Sequence, residues 1–301
     1  MSQVPPLTGV NFIFFGSSDF SVHILNELEQ LGYVPRVVVS TPDKPRGRKM
    51  IVTPTVVSAW ALERGIPVHR PETLKTPESV TAIRELTQNH SVDVFVVASY
   101  GKIIPQTILD IPQAHVLNVH PSLLPKYRGA SPIQSAMLAD DINTGVSIIK
   151  LDAEMDHGPL IGPQKLVTFS EWPTYTETEK TLAIHGAQAL AHILAPWVKG
   201  DITEEPQHHE QATYTKKIEK EDGLIAYEDI AALTTLPQNI QRNIFLKVQA
   251  FSIWPSVYFF TPQGERIKIA RASWQNNCCI IEAVIPEGKK ETPWSDYRKN
   301  I

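Results

Sequence analysis

Two cysteines, neighbours at Cys278 and Cys279, are all the thiol the 301-residue chain carries. They are too few for a disulfide framework and lack the second pair that would make a zinc site, so neither a metal nor a redox role is expected. No apolar run approaches the roughly 20 residues needed to cross a bilayer. The opening stretch MSQVPPLTG holds no basic region and no apolar core of the secretory kind, so a cytoplasmic protein without a membrane partner is expected. A net charge of -4 argues against indiscriminate nucleic-acid binding and leaves any specific RNA to a local basic patch. Also missing is GxGxxG: the first strand runs into GSSDF, whose lone glycine lacks the spacing a dinucleotide pyrophosphate needs, and no NAD is expected.

What is present is an alternation of strands and helices. Residues 10–15 read as a buried strand, and Ile24, Leu25, Leu28 and Leu31 recur at helical spacing just beyond it. Strand signals over 33–41, 66–70, 92–99 and 115–120 are separated by helices near 55–64 and 77–88. This order predicts an α/β fold, a Rossmann-like, doubly wound and mostly parallel sheet. After a helix near 132–139, residues 144–169 form a strand-turn-strand passage without a crossover helix, where the sheet edge turns mixed. A helix over 175–198 stops at Gly200, and the polar DITEEPQHHEQAT follows. The division expected is a domain over 1–198, a linker over 199–213 and a small β-rich domain over 214–301.

Chemistry concentrates in HVLNVHPSLLPKYRG, residues 115–129. Side chains alternate along a strand, so Asn118 and His120 project from one face at its C-terminal end, where α/β sheets place ligands. Pro121 and Pro125 stop the ladder and stiffen SLLP as a loop. Taken alone, the pair reads first as a hydrogen-bonded strand end with no catalytic role, and its neighbours change that balance. Asp156, in the glycine-bearing turn MDHG, adds a carboxylate. An amide, an imidazole and a carboxylate without an activated Ser or Cys suit direct acyl transfer to an amine, with no covalent intermediate. GSSDF is open to two readings, a helix-capping turn or a substrate contact. The run DKPRGRKM, with Lys44, Arg46, Arg48 and Lys49, is either a solvated charge run or a grip on phosphates.

NVHPSLLPKYRGASPIQ with the later LDAEMDHG resembles the signature of the formyltransferases that use 10-formyltetrahydrofolate. FFGSSDFS, TPDKPRGRKM, VFVVASYGKIIP, TYTKKIEKEDGLI, IWPSVYF and PEGKK follow in order the blocks of the branch whose acceptor is methionyl-initiator tRNA. The resemblance implies a Rossmann-like catalytic domain followed by a smaller β-barrel domain of oligonucleotide-binding type, with Asn118, His120 and Asp156 as the catalytic group. It implies a folate slot lined by Val97, Tyr100, Gly101, Ile104, Ser122, Leu123, Leu124 and Pro125. Lys44, Arg46, Arg48, Lys49, Lys289 and Lys290 would touch tRNA, and Gly16, Ser17, Ser18, Asp19 and Phe20 would form the aminoacyl-side loop. Tyr127 and Arg128 either line the site or brace its loop. No obligate protein partner is expected. The chain departs from the family pattern at Ser18, Pro121 and Pro159, and from residue 207 onward it carries 12 Lys and Arg against 11 Asp and Glu. Two rivals share these features: a sugar-nucleotide N-formyltransferase with the same folate site, and a non-catalytic RNA-binding protein.

Overall fold

Strand and helix alternate in the computed structural model, which describes residues 9–46 and 50–300. Strand β1 (Phe12–Gly16) enters α1 (Asp19–Gln30), where the Ser18 and Ser21 side chains cap each other's backbone N–H groups. The GSSDF turn is therefore a helix cap. Then come β2 (Val37–Val39), the hairpin β3 (Lys44–Arg46) and β4 (Ile51–Thr53), α2 (Val56–Glu63), β5 (Val68–His69) and α3 (Pro77–Asn89). The basic stretch read as a loop is thus a hairpin, with Lys44 opposite Thr53 and Arg46 opposite Ile51; Arg48 and Lys49 lie outside the described residues. Strand β6 (Val94–Ala98), α4 (Gln106–Leu109), β7 (Val116–His120) and α5 (Pro132–Leu138) follow. The mixed edge is built by β8 (Asn143–Lys150), β9 (Leu160–Ile161) and β10 (Lys165–Thr168), before α6 (Tyr175–Lys199) and β11 (Glu204–Glu205).

Apart from the β3–β4 hairpin, these strands form one sheet in the order β11-β9-β8-β7-β6-β1-β2-β5, with β10 also paired to β8. Pairing is parallel from β7 across to β5 and antiparallel from β7 out through β8 and β9 to β11. The chain leaves β1 toward β2 and β5, then crosses back to β6, so the strand order reverses between β1 and β6. Crevices at such reversals, at the carboxyl ends of strands, are where open α/β sheets bind ligands. One face of the sheet is covered by a core of Ile13, Phe15, Val37, Val39, Phe95 and Val97 with Leu74 and Ile83. On α6, Gly186 lets the helix approach β7: a Cβ there would stand 2.7 Å from Val119 Cγ1. No helix among the described residues is long and apolar enough to cross a membrane.

Packing divides the chain into two compact units. The first takes residues up to 128 with 145–167 and 180–213, so residues 199–213, read as a linker, belong to it. The second takes 129–144, 168–179 and the chain from 214 onward. It contains α7 (Tyr227–Ala231), α8 (Gln238–Ala250), β12 (Val257–Phe260), β13 (Arg266–Gln275), β14 (Cys278–Pro286), β15 (Thr292–Pro293) and α9 (Trp294–Tyr297). Its strands form a separate antiparallel sheet in the order β12-β13-β14-β15, which gives the β-rich C-terminal unit expected there. Helix α8, unforeseen in the sequence, packs on β13, β14 and α5.

Candidate active site

The two-residue period of β7 turns Val119 toward α6 and gives Asn118 and His120 the opposite face. Both reach one oxygen: Asn118 Nδ2 donates to Asp156 Oδ1 at 3.5 Å, and His120 Nδ1 lies 3.5 Å from the same Oδ1. That distance is the weak end of hydrogen bonding, so the three groups are gathered rather than locked, with room to tighten on a substrate. The imidazole side chain is 5% exposed and the carboxylate 13%, so charges here act in a partly dry site. The structure brings these three residues together.

The Asp156 turn is shaped by close approach to the end of β8. A Cβ on Gly158 would fall 1.8 Å from the Lys150 carbonyl oxygen, so only glycine fits there. Asp156 itself has φ 51°, a left-handed conformation that aspartate tolerates. On its other side His120 is held by Tyr127, whose carbonyl oxygen is 3.0 Å from Nε2. A carbonyl only accepts, so Nε2 carries the proton and Nδ1 is the nitrogen left facing Asp156.

The SLLP loop is pinned by two residues that the sequence reading passed over. Ser147 on β8, fully buried, donates to the Ser122 carbonyl at 2.7 Å and accepts from Leu124 N at 3.0 Å and Gln164 Nε2 at 2.6 Å. Its hydroxyl is saturated. Gln164 Nε2 also donates to the Leu124 carbonyl at 2.8 Å, and Ser122 Oγ to the Lys126 carbonyl at 2.6 Å. Ser122 and Leu124 are buried, while Leu123 and Pro125 are half-buried. A lone serine in an apolar strand gave no signal of this role.

The other expected contacts are spread more widely. Val97 and Tyr100 are buried; Tyr100 stands edge-on to Phe15 at 5.6 Å, and burial pushes its phenol up to about 12. Gly101 is exposed at φ 81° and Ile104 half-buried. Gly16 and Phe20 are buried, Ser17 and Ser18 half-buried and Asp19 exposed. Ser17 ties three strand ends together: its N donates to the Ser99 carbonyl at 3.2 Å, and its Oγ accepts from Thr41 N at 3.1 Å. Lys44 is exposed on the hairpin, and the backbone of Arg46 ends β3. Lys289 and Lys290 are exposed in the second unit, Lys289 Nζ 3.4 Å from Glu265. Among the described residues no group of three His, Cys, Asp or Glu side chains could hold a metal ion.

Residues 10–194 match the family described as formyl transferase. The chain is 39% identical over 264 residues to a methionyl-tRNA formyltransferase of Chloroflexus aggregans, spanning 88% of this chain and 80% of that one. Among solved structures it is similar to a methionyl-tRNA formyltransferase from Clostridium thermocellum, with TM-score 0.59 and 14% identity over 92% of this chain and 98% of the other. An N-formyltransferase from Helicobacter canadensis, solved with folinic acid and dTDP-3-aminofucose, gives TM-score 0.62 and 14% identity over 89% and 88%. At that identity the two solved structures speak for the fold.

Proposed function

The chain belongs to the methionyl-tRNA formyltransferases, and we infer from this and from the end of β7 how its residues divide the work of formyl transfer. It moves a formyl group from a folate carrier to methionyl-tRNA. The observation that carries the site assignment is the convergence of Asn118 and His120 on Asp156 Oδ1. The donor is 10-formyltetrahydrofolate and the acceptor the free α-amine of methionyl-initiator tRNA, in the cytoplasm, where translation starts.

The amine nitrogen attacks the formyl carbon and a C–N bond forms. The carbonyl electrons move onto oxygen, where Asn118 Nδ2–H and His120 Nδ1–H stabilise the charge in their partly dry setting. Asp156 stabilises the imidazolium that carries this proton. The amine then loses a proton to Asp156, through water or directly. The C–N10 bond breaks and N10 of the carrier is reprotonated from the same pair. Atoms and charge balance without a covalent enzyme intermediate and without a metal step.

For the donor, the backbone of the SLLP loop and of residues 97–104 suits a flat pterin: a stiff wall with few polar side chains. Val97, Tyr100, Gly101, Ile104, Ser122, Leu123, Leu124 and Pro125 form that slot. For the acceptor, the basic run Lys44, Arg46, Arg48 and Lys49 meets phosphates, and Gly16–Phe20 lie on the aminoacyl side. The unit that contains β7 holds the chemistry, and the second unit adds Lys289 and Lys290 to the tRNA contact.

The test is an incubation with 10-formyltetrahydrofolate and, in turn, methionyl-initiator tRNA, an amino-sugar nucleotide, or no acceptor. Formylated methionyl-tRNA is the expected product. Formylation of the sugar alone, or tRNA binding without transfer, would contradict the reading.

A further inference from the structure

Gln207 is a polar side chain only 5% exposed, in a stretch whose composition is that of a linker. Every hydrogen-bonding position on its amide is used. Nε2 donates to the Asp156 carbonyl at 2.9 Å and the Gly158 carbonyl at 2.7 Å, which brackets the turn that carries Asp156. Oε1 accepts from Arg128 Nε at 3.2 Å and Nη2 at 2.7 Å. Arg128 is 1% exposed and also donates from Nη2 to His209 Nδ1 at 2.8 Å. An arginine buried this deeply is costly to keep unless its donors are engaged.

The residue before Arg128 is Tyr127, whose carbonyl accepts from His120 Nε2 at 3.0 Å. Thr213 fastens the same pair: its carbonyl accepts from Arg128 N at 2.8 Å and its Oγ1 from Tyr127 N at 2.8 Å. One strap, residues 207–213, therefore grips His120 through Tyr127 and the Asp156 turn through Gln207. We propose that Gln207, held by Arg128, is a positioning residue that sets the spacing of Asp156 from His120 and Asn118. This rests on the catalytic reading of Asp156. The amide is suited to the task because it accepts from a guanidinium on one side while donating twice to a turn on the other. A methyl, a carboxylate or a hydroxyl cannot do both.

The experiment is steady-state formyl transfer by the full chain, with thermal unfolding, for wild type, Gln207→Leu and Gln207→Glu. Gln207→Glu keeps an acceptor for Arg128 but has no donor for the turn, so it separates the two halves of the amide's role. Expected is a fall in kcat of about 10–100-fold, the range seen when a supporting partner of a site residue is lost. KM for both substrates stays within about threefold, since Gln207 is buried beneath the Asp156 turn, and Gln207→Glu, which keeps its pairing with Arg128, melts below wild type but above Gln207→Leu and remains folded at the assay temperature. Gln207→Leu shows the same kcat loss with lower stability; should it not fold, Gln207→Glu carries the test. A Gln207→Glu enzyme with wild-type kcat overturns this proposal alone, as does a loss of activity that only follows loss of fold. An inactive wild type overturns the functional reading and this proposal with it.

Discussion

The Nε2 of His120 lies 3.0 Å from the carbonyl oxygen of Tyr127, and this contact decides which ring nitrogen can exchange protons. Because Nε2–H is committed to the carbonyl, Nδ1, 3.5 Å from Asp156 Oδ1, is the ring nitrogen open to the proton exchange proposed for the site.

Nitrogen-15 spectra of the imidazole check this directly. Neutral His120 is expected to show a protonated Nε2 and a bare Nδ1. A majority of the opposite tautomer would show that the Tyr127 carbonyl does not govern the ring.

Gly186 is the second point where a small change reaches β7. A methyl there meets Val119 Cγ1 at 2.7 Å and Val146 Cγ1 at 3.1 Å, and Val119 sits between Asn118 and His120. Gly186→Ala is expected to destabilise the fold by about 1–3 kcal/mol, the usual cost of overpacking, read from urea unfolding. Unchanged stability would mean that α6 yields freely.

In the second unit, Arg242 pairs in a bidentate manner with Asp140, at 2.8 and 2.7 Å, and reaches Glu171 at 2.8 Å. Its guanidinium also lies over Trp274 at 5.0 Å and Phe245 at 5.2 Å. The hydrogen bond to Asp140 raises the guanidinium pKa, burial opposes it, and Glu171 adds to the rise. With 18% of the side chain exposed, Arg242→Ala is expected to cost about 2 kcal/mol, and Arg242→Lys to recover only part of it, since an ammonium cannot match the fork. Full recovery by lysine in thermal unfolding would reduce the cluster to simple charge.

For the acceptor, Arg48→Ala is expected to weaken tRNA binding and to lower the slope of log affinity against log salt by about 1, as loss of one phosphate contact does. Filter binding across salt concentrations measures it. An unchanged slope would remove Arg48 from the tRNA contact.

Asn118 and His120 could be paired from sequence because strand periodicity is local, and Asp156 because a glycine turn marked its place. The strap could not: DITEEPQHHEQAT has the polarity of a solvated connector, and the burial of Gln207 arises from Arg128, 79 residues away. Nor could α8, since two of its inward positions are glutamines. Gln241 accepts from Cys279 N at 3.1 Å and Gln249 donates to the Ala272 carbonyl at 2.9 Å, which blurs the apolar stripe. The hairpin at Lys44–Arg46 hid behind its charges and prolines for a similar reason: its apolar residues Ile51 and Val52 are exposed, so no buried alternation marks it.

The most direct measurement of the catalytic assignment is single-turnover formyl transfer from 10-formyltetrahydrofolate to methionyl-initiator tRNA by wild type, Asn118→Ala and His120→Ala, each verified as folded. Loss of a preorganised donor to a developing oxyanion costs about 10²–10³ in rate, and a loss at least that large is expected for each variant. Transfer near the wild-type rate by either would contradict the site at the end of β7.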